Sequence, residues 1–242
     1  MSNENPYLSV VIPAYNEEKR ILKTLTYIYK YLSVQKYTWE IIVVDDGCKD
    51  DTANIVKESH LQNINLVNYG SNRGKGYAVH FGVSRARGQY ILFCDADNAT
   101  PFEQIEGLLK YAENYQVVIG SRYLKESKIE IKQPLNRIIG ARLGNILIQL
   151  LILPGIVDTQ CGFKLFKAEC AHQIFAKQTI WRWAFDMEIL ALARKLGYKI
   201  KQVPVRWQDQ VGSKVEGAAF RKTLGELLKI RWRLFFIKSG NN

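Results

Sequence analysis

Short apolar runs alternate with helix-like segments through the first half of the chain, and this alternation limits the possible folds more than any other feature. The runs are continuous and rich in Val and Ile, which is typical of strands buried on both faces of a parallel sheet. Because a helix-length segment follows each run, we expect an α/β fold, an open twisted sheet with helices on both faces. The predicted strands are Leu8–Ile12, Glu40–Val44, Asn65–Asn68, Tyr90–Cys94 and Gln116–Gly120, and the predicted helices are Glu17–Leu32, Asp51–Ser59, Lys75–Arg85 and Pro101–Tyr111.

The pattern changes after Arg122, where a charged, turn-like segment begins. The further predicted elements are a helix over Leu135–Leu153, a strand over Gly162–Lys167, a helix over Phe185–Leu196 and a strand over Lys199–Val205. With 242 residues and no internal repeat, the chain is long enough for one large domain. We therefore predict one domain over residues 1–215 and a basic amphipathic helix and tail over residues 216–242.

Charge and cysteine content bear on partners and compartment. The chain has 34 Lys and Arg against 23 Asp and Glu, a net charge of +11, which attracts anions such as nucleic acid, anionic lipid or phosphorylated substrates. The four cysteines form no C-x-x-C pair, so a reducing compartment is expected. The first residues are polar, and Leu143–Val157 is shorter than the ~20 apolar residues a span requires. We expect a cytoplasmic protein whose membrane contact is peripheral.

Polar, charged or glycine residues follow each of the first five predicted strands. In open α/β sheets, ligands bind beyond the carboxyl ends of the strands, so these segments predict one extended polar site. The segments are Pro13–Glu17, Asp45–Gly47, Asn72–Gly76, Asp95–Asp97 and Gly120–Arg122.

Asp95 and Asp97 directly follow the apolar run Tyr90–Cys94. Two nearby carboxylates repel each other unless a cation lies between them, and Mg²⁺ or Mn²⁺ suits such hard oxygen ligands. A metal held here would neutralise charge on a leaving diphosphate. The alternative is a solvated turn before a helix cap at Thr100–Pro101.

Two further segments favour nucleotide binding. Asp45 and Asp46 end the second strand and are suited to accept hydrogen bonds from a base or ribose, although they could instead cap the helix near Asp51. Asn72–Gly76, which includes Lys75, supplies cations and glycines before a helix N-terminus, an arrangement suited to phosphate. This segment is neither a dinucleotide fingerprint nor a P-loop, and a plain turn is its alternative.

Together these motifs resemble the family-2 glycosyltransferases, which have the Rossmann-like GT-A fold. The motifs shared with many members of that family are Val10–Glu17, Val43–Gly47, Asn72–Gly76 and Asp95–Asp97. Three later blocks, Asp158–Phe166, Arg182–Glu188 and Gly212–Lys214, look like those of the dolichyl-phosphate glucosyltransferases. The resemblance covers roughly Leu8 to Lys214.

The resemblance implies a metal-dependent enzyme that transfers glucose from UDP-glucose to a polyprenyl phosphate with inversion at the anomeric carbon. By position, Pro13, Tyr15, Glu17 and Asp46 would hold the nucleoside, Asp95 and Asp97 the metal and diphosphate, Arg122 and Arg137 the acceptor phosphate, and Lys214 would lie on a loop that closes over phosphates. Related mannosyl-phosphate synthases have glutamine where this chain has Ala99, so a third side-chain ligand is missing. The family's eukaryotic members also carry an N-terminal membrane anchor, which is not expected here, so a shorter or bacterial polyprenyl phosphate or another acceptor is the alternative to dolichol.

The acceptor decides whether a base is needed. A phosphate monoester is largely a dianion at neutral pH, so positioning and charge neutralisation would suffice. A sugar hydroxyl would need a carboxylate base, for which Asp186 is the first candidate and Glu188 the second. Their alternative role is helix capping at an exposed helix start. A soluble enzyme acting on a saccharide or protein acceptor is therefore the alternative function.

The segment Glu216–Lys238 alternates apolar and basic residues at helical spacing. A basic amphipathic helix with Trp and Phe suits the headgroup region of an anionic bilayer, and its alternatives are a helix packed on the domain or a dimer contact. A nucleic-acid-binding module would explain the charge but not the acidic strand ends. A nucleotidyltransferase would need a glycine-rich triphosphate loop after the first strand, which is absent from the sequence.

Overall fold

The computed structural model describes residues 5–130, 144–208 and 219–237, with side chains of the last segment described from residue 225. The strands are β1 (Leu8–Ala14), β2 (Trp39–Asp45), β3 (Ile64–Asn68), β4 (Tyr90–Cys94), β5 (Val117–Ser121), β6 (Lys128–Ile129), β7 (Phe163–Lys167), β8 (Ile200–Pro204) and β9 (Arg206–Trp207). The helices are α1 (Ile21–Ser33), α2 (Thr52–Glu58), α3 (Lys75–Val83), α4 (Ile105–Ala112), α5 (144–151), α6 (Ala168–Ala176), α7 (Phe185–Lys195) and α8 (Ala219–Phe236).

Seven strands form one sheet in the order β3-β2-β1-β4-β7-β5-β8. All neighbouring pairs are parallel except those of β7, which runs antiparallel to both β4 and β5. A separate parallel pair joins β6 to β9. The carboxyl ends of β1, β2 and β4 therefore point to the same edge, where the predicted site residues follow.

Helices cover both faces of the sheet, as predicted. One buried apolar cluster lies between the sheet and α3, α5, α6, α7 and α8, and the other lies under α1, α2 and α4. The helix α8 packs against α7 and buries Leu227 and Ile230 in the first cluster. The C-terminal helix therefore shares the core of the domain, so the alternative of a helix packed on the domain is confirmed for that face.

The structure departs from the expected elements in a few places. The helix α1 begins at Ile21 rather than at Glu17, and residues 18–20 form a turn in which Glu17 pairs with Arg20. The helix α6 was not predicted, since β7 runs into it without a turn residue. Of the helix predicted over Leu135–Leu153, residues 144–151 are helical and residues 131–143 lie outside the described part. All four cysteines lie in the described part and are free thiols.

Candidate active site

The segments after β1, β2 and β4 meet at one edge of the sheet. The N–H of Asp46 donates to the carbonyl of Ala14 at 2.9 Å, which ties the end of β2 to the end of β1. The side chain of Asn16, at a φ of 55°, accepts from the N–H of Lys49 at 2.8 Å. A left-handed conformation is tolerated by Asn better than by most residues, so the two loops lie against each other.

Asp95 and Asp97 stand directly beyond β4, as predicted. The N–H of Asp95 donates to the carbonyl of Gly162, and a methyl group added at Gly162 would lie 2.0 Å from Asp95 Oδ2. Any larger residue at this position would therefore force the Asp95 carboxylate to move. Asp97 Oδ1 accepts from the N–H of Ala99 at 2.9 Å. Burial and the charge of Asp95 raise the pKa of the Asp97 carboxyl above its usual value.

Two cations face this pair of carboxylates. Lys75, the first residue of α3, lies with Nζ 2.6 Å from Asp95 Oδ1. Burial alone would lower the pKa of Lys75, but the charges of Asp95 and Asp186 hold it above its usual value, so the ammonium stays charged. Arg20 lies close enough for the charges of Asp97 and Asp95 to raise its pKa, after the larger effect of its hydrogen bond with Glu17. Sequence reasoning missed Arg20.

The donor set is compatible with a divalent metal shared with a phosphate ligand. Within the described residues, no three His, Cys, Asp or Glu side chains gather as a closed metal cage. Two half-exposed carboxylates and the methyl of Ala99 would leave most of the coordination sphere to ligand oxygens and water, which is how Mg²⁺ and Mn²⁺ are held beside diphosphates. The pKa of Asp97 is raised first by burial and then by the charge of Asp95, and a cation held between the two carboxylates would oppose both effects.

Asp46 organises the loop before α3. Its buried carboxylate accepts hydrogen bonds from the Tyr69 hydroxyl at 2.6 Å, the Asn72 amide at 2.9 Å and the N–H groups of Arg73 and Gly74 at 2.7 and 3.1 Å. These donors hold the Asn72–Gly76 segment in place. A direct contact between Asp46 and a nucleoside stays a prediction. In the structure, Asp46 fixes the conformation of the loop before α3.

The other predicted nucleoside residues lie along the same edge. Asp45 Oδ1 accepts from the N–H of Cys48 at 2.7 Å, and burial raises the pKa of the Cys48 thiol to about 12. The N–H of Glu17 donates to Thr52 Oγ1 at 2.8 Å. Pro13 and Tyr15 are half-buried at the end of β1. The structure therefore brings together the residues that the motifs assigned to one nucleotide pocket, and their contacts with a nucleotide stay predictions.

Arg122 is held by a buried partner that sequence reasoning did not connect with it. Its Nε and Nη2 donate to Asp158 at 2.8 and 2.9 Å, and its backbone N–H donates to the same carboxylate at 2.8 Å. Burial would raise the pKa of Asp158, but the charge and hydrogen bonds of Arg122 hold it below the usual value. A role of Arg122 at the acceptor phosphate stays a prediction, while its observed role is to join β5 to the segment before β7.

Asp186 and Glu188 are buried, so the alternative interpretation as exposed helix caps is wrong, while their role as a base stays a prediction. The reason is that each has a partner. Lys164, fully buried on β7, places Nζ 2.5 Å from Asp186 Oδ1. Glu188 accepts from the N–H groups of Thr179 and Ile180 and pairs with Arg233 of α8 at 2.6 Å.

Of these two, Asp186 lies nearer to the site. Burial raises its pKa above the usual value, although the charges of Lys164 and Lys75 oppose that effect. A role for Asp186 as a base stays a prediction. Arg137 and Lys214, assigned to the acceptor phosphate and to a closing loop, lie outside the described residues.

Comparison with known proteins shows which protein family has this fold and this arrangement of site residues. The family model "Glycosyl transferase family 2" matches residues 9–175. The chain belongs to this family, and it is a glycosyltransferase enzyme. Within the family, the chain is similar to dolichyl-phosphate β-glucosyltransferases. One from Trichomonas vaginalis is 41% identical over 93% of this chain and 72% of the relative, one from Dictyostelium discoideum 40% over 96% and 77%, and the human protein 36% over 86% and 69%.

Solved structures confirm the GT-A fold. Mannosyl-3-phosphoglycerate synthase from Rubrobacter xylanophilus superimposes with a TM-score of 0.72 at 18% identity, covering 98% of this chain and 79% of the other. Glucosyl-3-phosphoglycerate synthase from Mycobacterium tuberculosis, solved with Mn²⁺, UDP-glucose and phosphoglyceric acid, has a TM-score of 0.69 at 19% identity, covering 94% and 80%. At these identities the likeness concerns the fold alone.

Proposed function

We propose that this enzyme transfers glucose from UDP-glucose to the phosphate of a dolichyl-type polyprenyl phosphate, with inversion, at a membrane surface. The observation that carries the proposal is the 36–41% identity, over most of the chain, to relatives named dolichyl-phosphate β-glucosyltransferases. The grouping of Asp95, Asp97 and Lys75 at the strand ends supports a diphosphate donor.

Asp95 and Asp97 would hold a Mg²⁺ or Mn²⁺ ion, which would supply positive charge to the leaving diphosphate. The loop that Asp46 shapes presents the N-terminus of α3 and the Lys75 ammonium to the same region, an arrangement that favours anions. A phosphate acceptor brings its own charged oxygen as nucleophile. The protein's task is therefore to orient the two substrates and to neutralise charge rather than to remove a proton.

The test is a transfer assay with UDP-glucose, GDP-mannose and a short polyprenyl phosphate, with and without Mn²⁺. We expect metal-dependent glucose transfer to the lipid phosphate, reduced by at least roughly a hundredfold in Asp97→Asn, because that change removes a charge acting on the leaving group. 3-Phosphoglycerate and a free saccharide serve as alternative acceptors. Transfer to either of these but not to the lipid would move the proposal to a soluble acceptor. No turnover of any nucleotide sugar would refute it.

An exposed apolar face supports the membrane part of the proposal. It consists of Ile146 and Leu150 of α5 and Leu228, Trp232, Phe235 and Phe236 of α8. Phe235 and Phe236 are 81% and 75% exposed. Arg231 of α8 donates to the carbonyl of Leu151 at 2.5 Å and so joins the two helices. Within the described residues, no helix is both long and apolar enough to span a bilayer.

We expect this apolar face to enter the headgroup region of an anionic bilayer, because basic residues of α8 accompany the aromatic ones. Flotation with vesicles containing phosphatidylserine should show binding that falls by about a hundredfold in a Trp232→Ser, Phe235→Ser, Phe236→Ser triple variant. Val34→Ser, which alters a side chain 78% exposed at the end of α1, is the control. Unchanged flotation of the triple variant would remove this surface from the proposal.

A further inference from the structure

Lys75 forms an ion pair with Asp95, one of the two carboxylates that the proposed function assigns to the metal. Its Nζ lies 2.6 Å from Asp95 Oδ1 and 5.4 Å from the centroid of the buried Phe93 ring. Its side chain is 20% exposed, whereas that of Asp95 is 33% exposed. The ion pair is therefore partly open to solvent on the carboxylate side, where a ligand would enter.

A second lysine beneath it is fixed, and the contrast identifies Lys75 as the cation that can move. Lys164 Nζ lies 5.2 Å from the same Phe93 ring centroid, 2.5 Å from Asp186 Oδ1 and 2.6 Å from the carbonyl of Cys161. The side chain of Lys164 has no exposure, and two acceptors hold it. Lys164 forms the direct ion pair with Asp186, whereas the direct ion pair of Lys75 is with Asp95.

A divalent cation and an ammonium repel each other, and both cannot bind the same carboxylate oxygen closely. We propose that Lys75 is the counter-ion of Asp95 in the ligand-free enzyme, and that it leaves Asp95 when metal and nucleotide bind and then contacts the diphosphate. Its flexible four-carbon stem at the start of α3 permits that movement. This inference rests on the proposed function, since it assumes a metal at Asp95 and Asp97.

The consequence is that metal and nucleotide bind cooperatively. Metal alone must displace an ammonium that has no new partner, whereas metal with a diphosphate gives the ammonium one. By linkage, the factor by which UDP tightens Mn²⁺ binding equals the factor by which Mn²⁺ tightens UDP binding. Removing the Lys75 charge should reduce this factor, whether it is measured as the effect of UDP on Mn²⁺ binding or as the effect of Mn²⁺ on UDP binding.

The experiment is a Mn²⁺ titration of the full chain, followed by the electron paramagnetic resonance signal of free Mn²⁺, without and with UDP. In Lys75→Met, we expect Mn²⁺ alone to bind roughly tenfold or more tightly than in the wild type, because a like charge is removed from the site. UDP should tighten Mn²⁺ binding less than in the wild type. Lys75→Arg keeps the charge and should stay near the wild type.

Arg73→Met is the matched control for the titration without UDP, since it removes one positive charge two residues earlier. The Arg73 guanidinium lies 4.7 Å from the Tyr77 ring centroid and donates to its hydroxyl, so Mn²⁺ affinity should change by less than about twofold after screening. If Lys75→Met fails to fold by circular dichroism, Lys75→Gln takes its place, since it keeps a hydrogen-bond donor.

The outcomes separate the inference from the proposed function. Mn²⁺ binding in Lys75→Met that is equal to or weaker than that of the wild type would overturn the counter-ion role while leaving the metal site intact. An equal gain in Arg73→Met would also overturn it, since the effect would then come from net charge. No Mn²⁺ binding by any variant, with or without UDP, would overturn the metal site and this inference together.

Discussion

Arg122 and Asp158 join the end of β5 to the segment before β7 through a buried ion pair. Asp158 has no exposed surface, so removing the arginine would leave a charge without a partner inside the protein. We expect Arg122→Met to lower the free energy of unfolding by about 3 kcal/mol, measured by urea denaturation. Adding Asp158→Asn should recover part of that loss. Unchanged stability of Arg122→Met, with weaker acceptor binding, would instead favour the acceptor role.

The same pair predicts a dependence of stability on pH. The folded pKa of Asp158 is lowered, so its stabilisation is complete above the unfolded value of about 3.9 and is lost as pH falls through the folded value. Asp158→Asn cannot titrate there. The difference in unfolding free energy between the wild type and Asp158→Asn should therefore narrow below about pH 4 in urea titrations. A gap that stays constant from pH 7 to pH 3 would contradict this assignment.

At this scale, the sequence indicates which residues meet but not what holds them. The positions of Asp95 and Asp97 follow from the strand that precedes them, because a parallel strand places its next residues at the ligand-binding edge. The pairing of Asp186 with Lys164 does not follow, since these residues are 22 positions apart on a helix and a strand. The available signal was a lysine that lies between the apolar residues Phe163 and Leu165 of a predicted strand.

Helix α3 shows how closely one element is fitted to its neighbours. A methyl group at Gly76 would lie 2.7 Å from Phe185 Cβ, whereas one at Gly225 of α8 would have nothing within 4 Å. We expect Gly76→Ala to destabilise the fold by about 1–3 kcal/mol through overpacking. Gly225→Ala should stabilise it by up to about 1 kcal/mol, because alanine favours the helix. Thermal unfolding of both variants tests the contrast, and equal shifts would show that α3 repacks freely.

Helices and strands with a long, regular hydrophobic pattern could be predicted from the sequence, and short ones could not. The strands β1 to β5 were found within two residues, because buried parallel strands appear as continuous apolar runs. The two-residue strands β6 and β9 were not found, since a pair so short carries no period. The sequence indicated that α8 carries exposed aromatic residues among basic ones. It did not indicate that Leu227 and Ile230 are buried in the core, which only the structure shows.

For the whole molecule, the proposed ligands should act as a stabiliser of the folded state. Mn²⁺ or UDP at about a hundred times its dissociation constant would contribute about 2.7 kcal/mol, and the two together at least about twice that. For a chain of this size, the joint contribution raises the melting temperature by roughly 10–20 °C. Each ligand alone should raise it less, and the two separate shifts should not sum to the joint one. A joint shift equal to that sum would indicate independent binding.

The fold class was predictable at this scale because alternating strand and helix patterns leave few arrangements of one domain. The order of strands was not, because β7 follows β5 in the chain but lies between β4 and β5 in the sheet. The composition of a strand does not indicate whether it runs parallel or antiparallel to its neighbours. The antiparallel direction of β7 follows only from its pairing in the structure, where Leu165 lies opposite Leu92 of β4 and Val118 of β5.

The position of β7 between β4 and β5 also limits how early the sheet can form while the chain is being synthesised on the ribosome. The strand β4, with Asp95 just beyond it, emerges early, yet its neighbour on one side is β7, which ends at Lys167. Until that residue has left the exit tunnel, β4 and β5 each present an unpaired edge. A nascent chain stopped before Phe163 should therefore bind molecular chaperones and be cut by protease near Asp95, whereas one extended past α7 should resist.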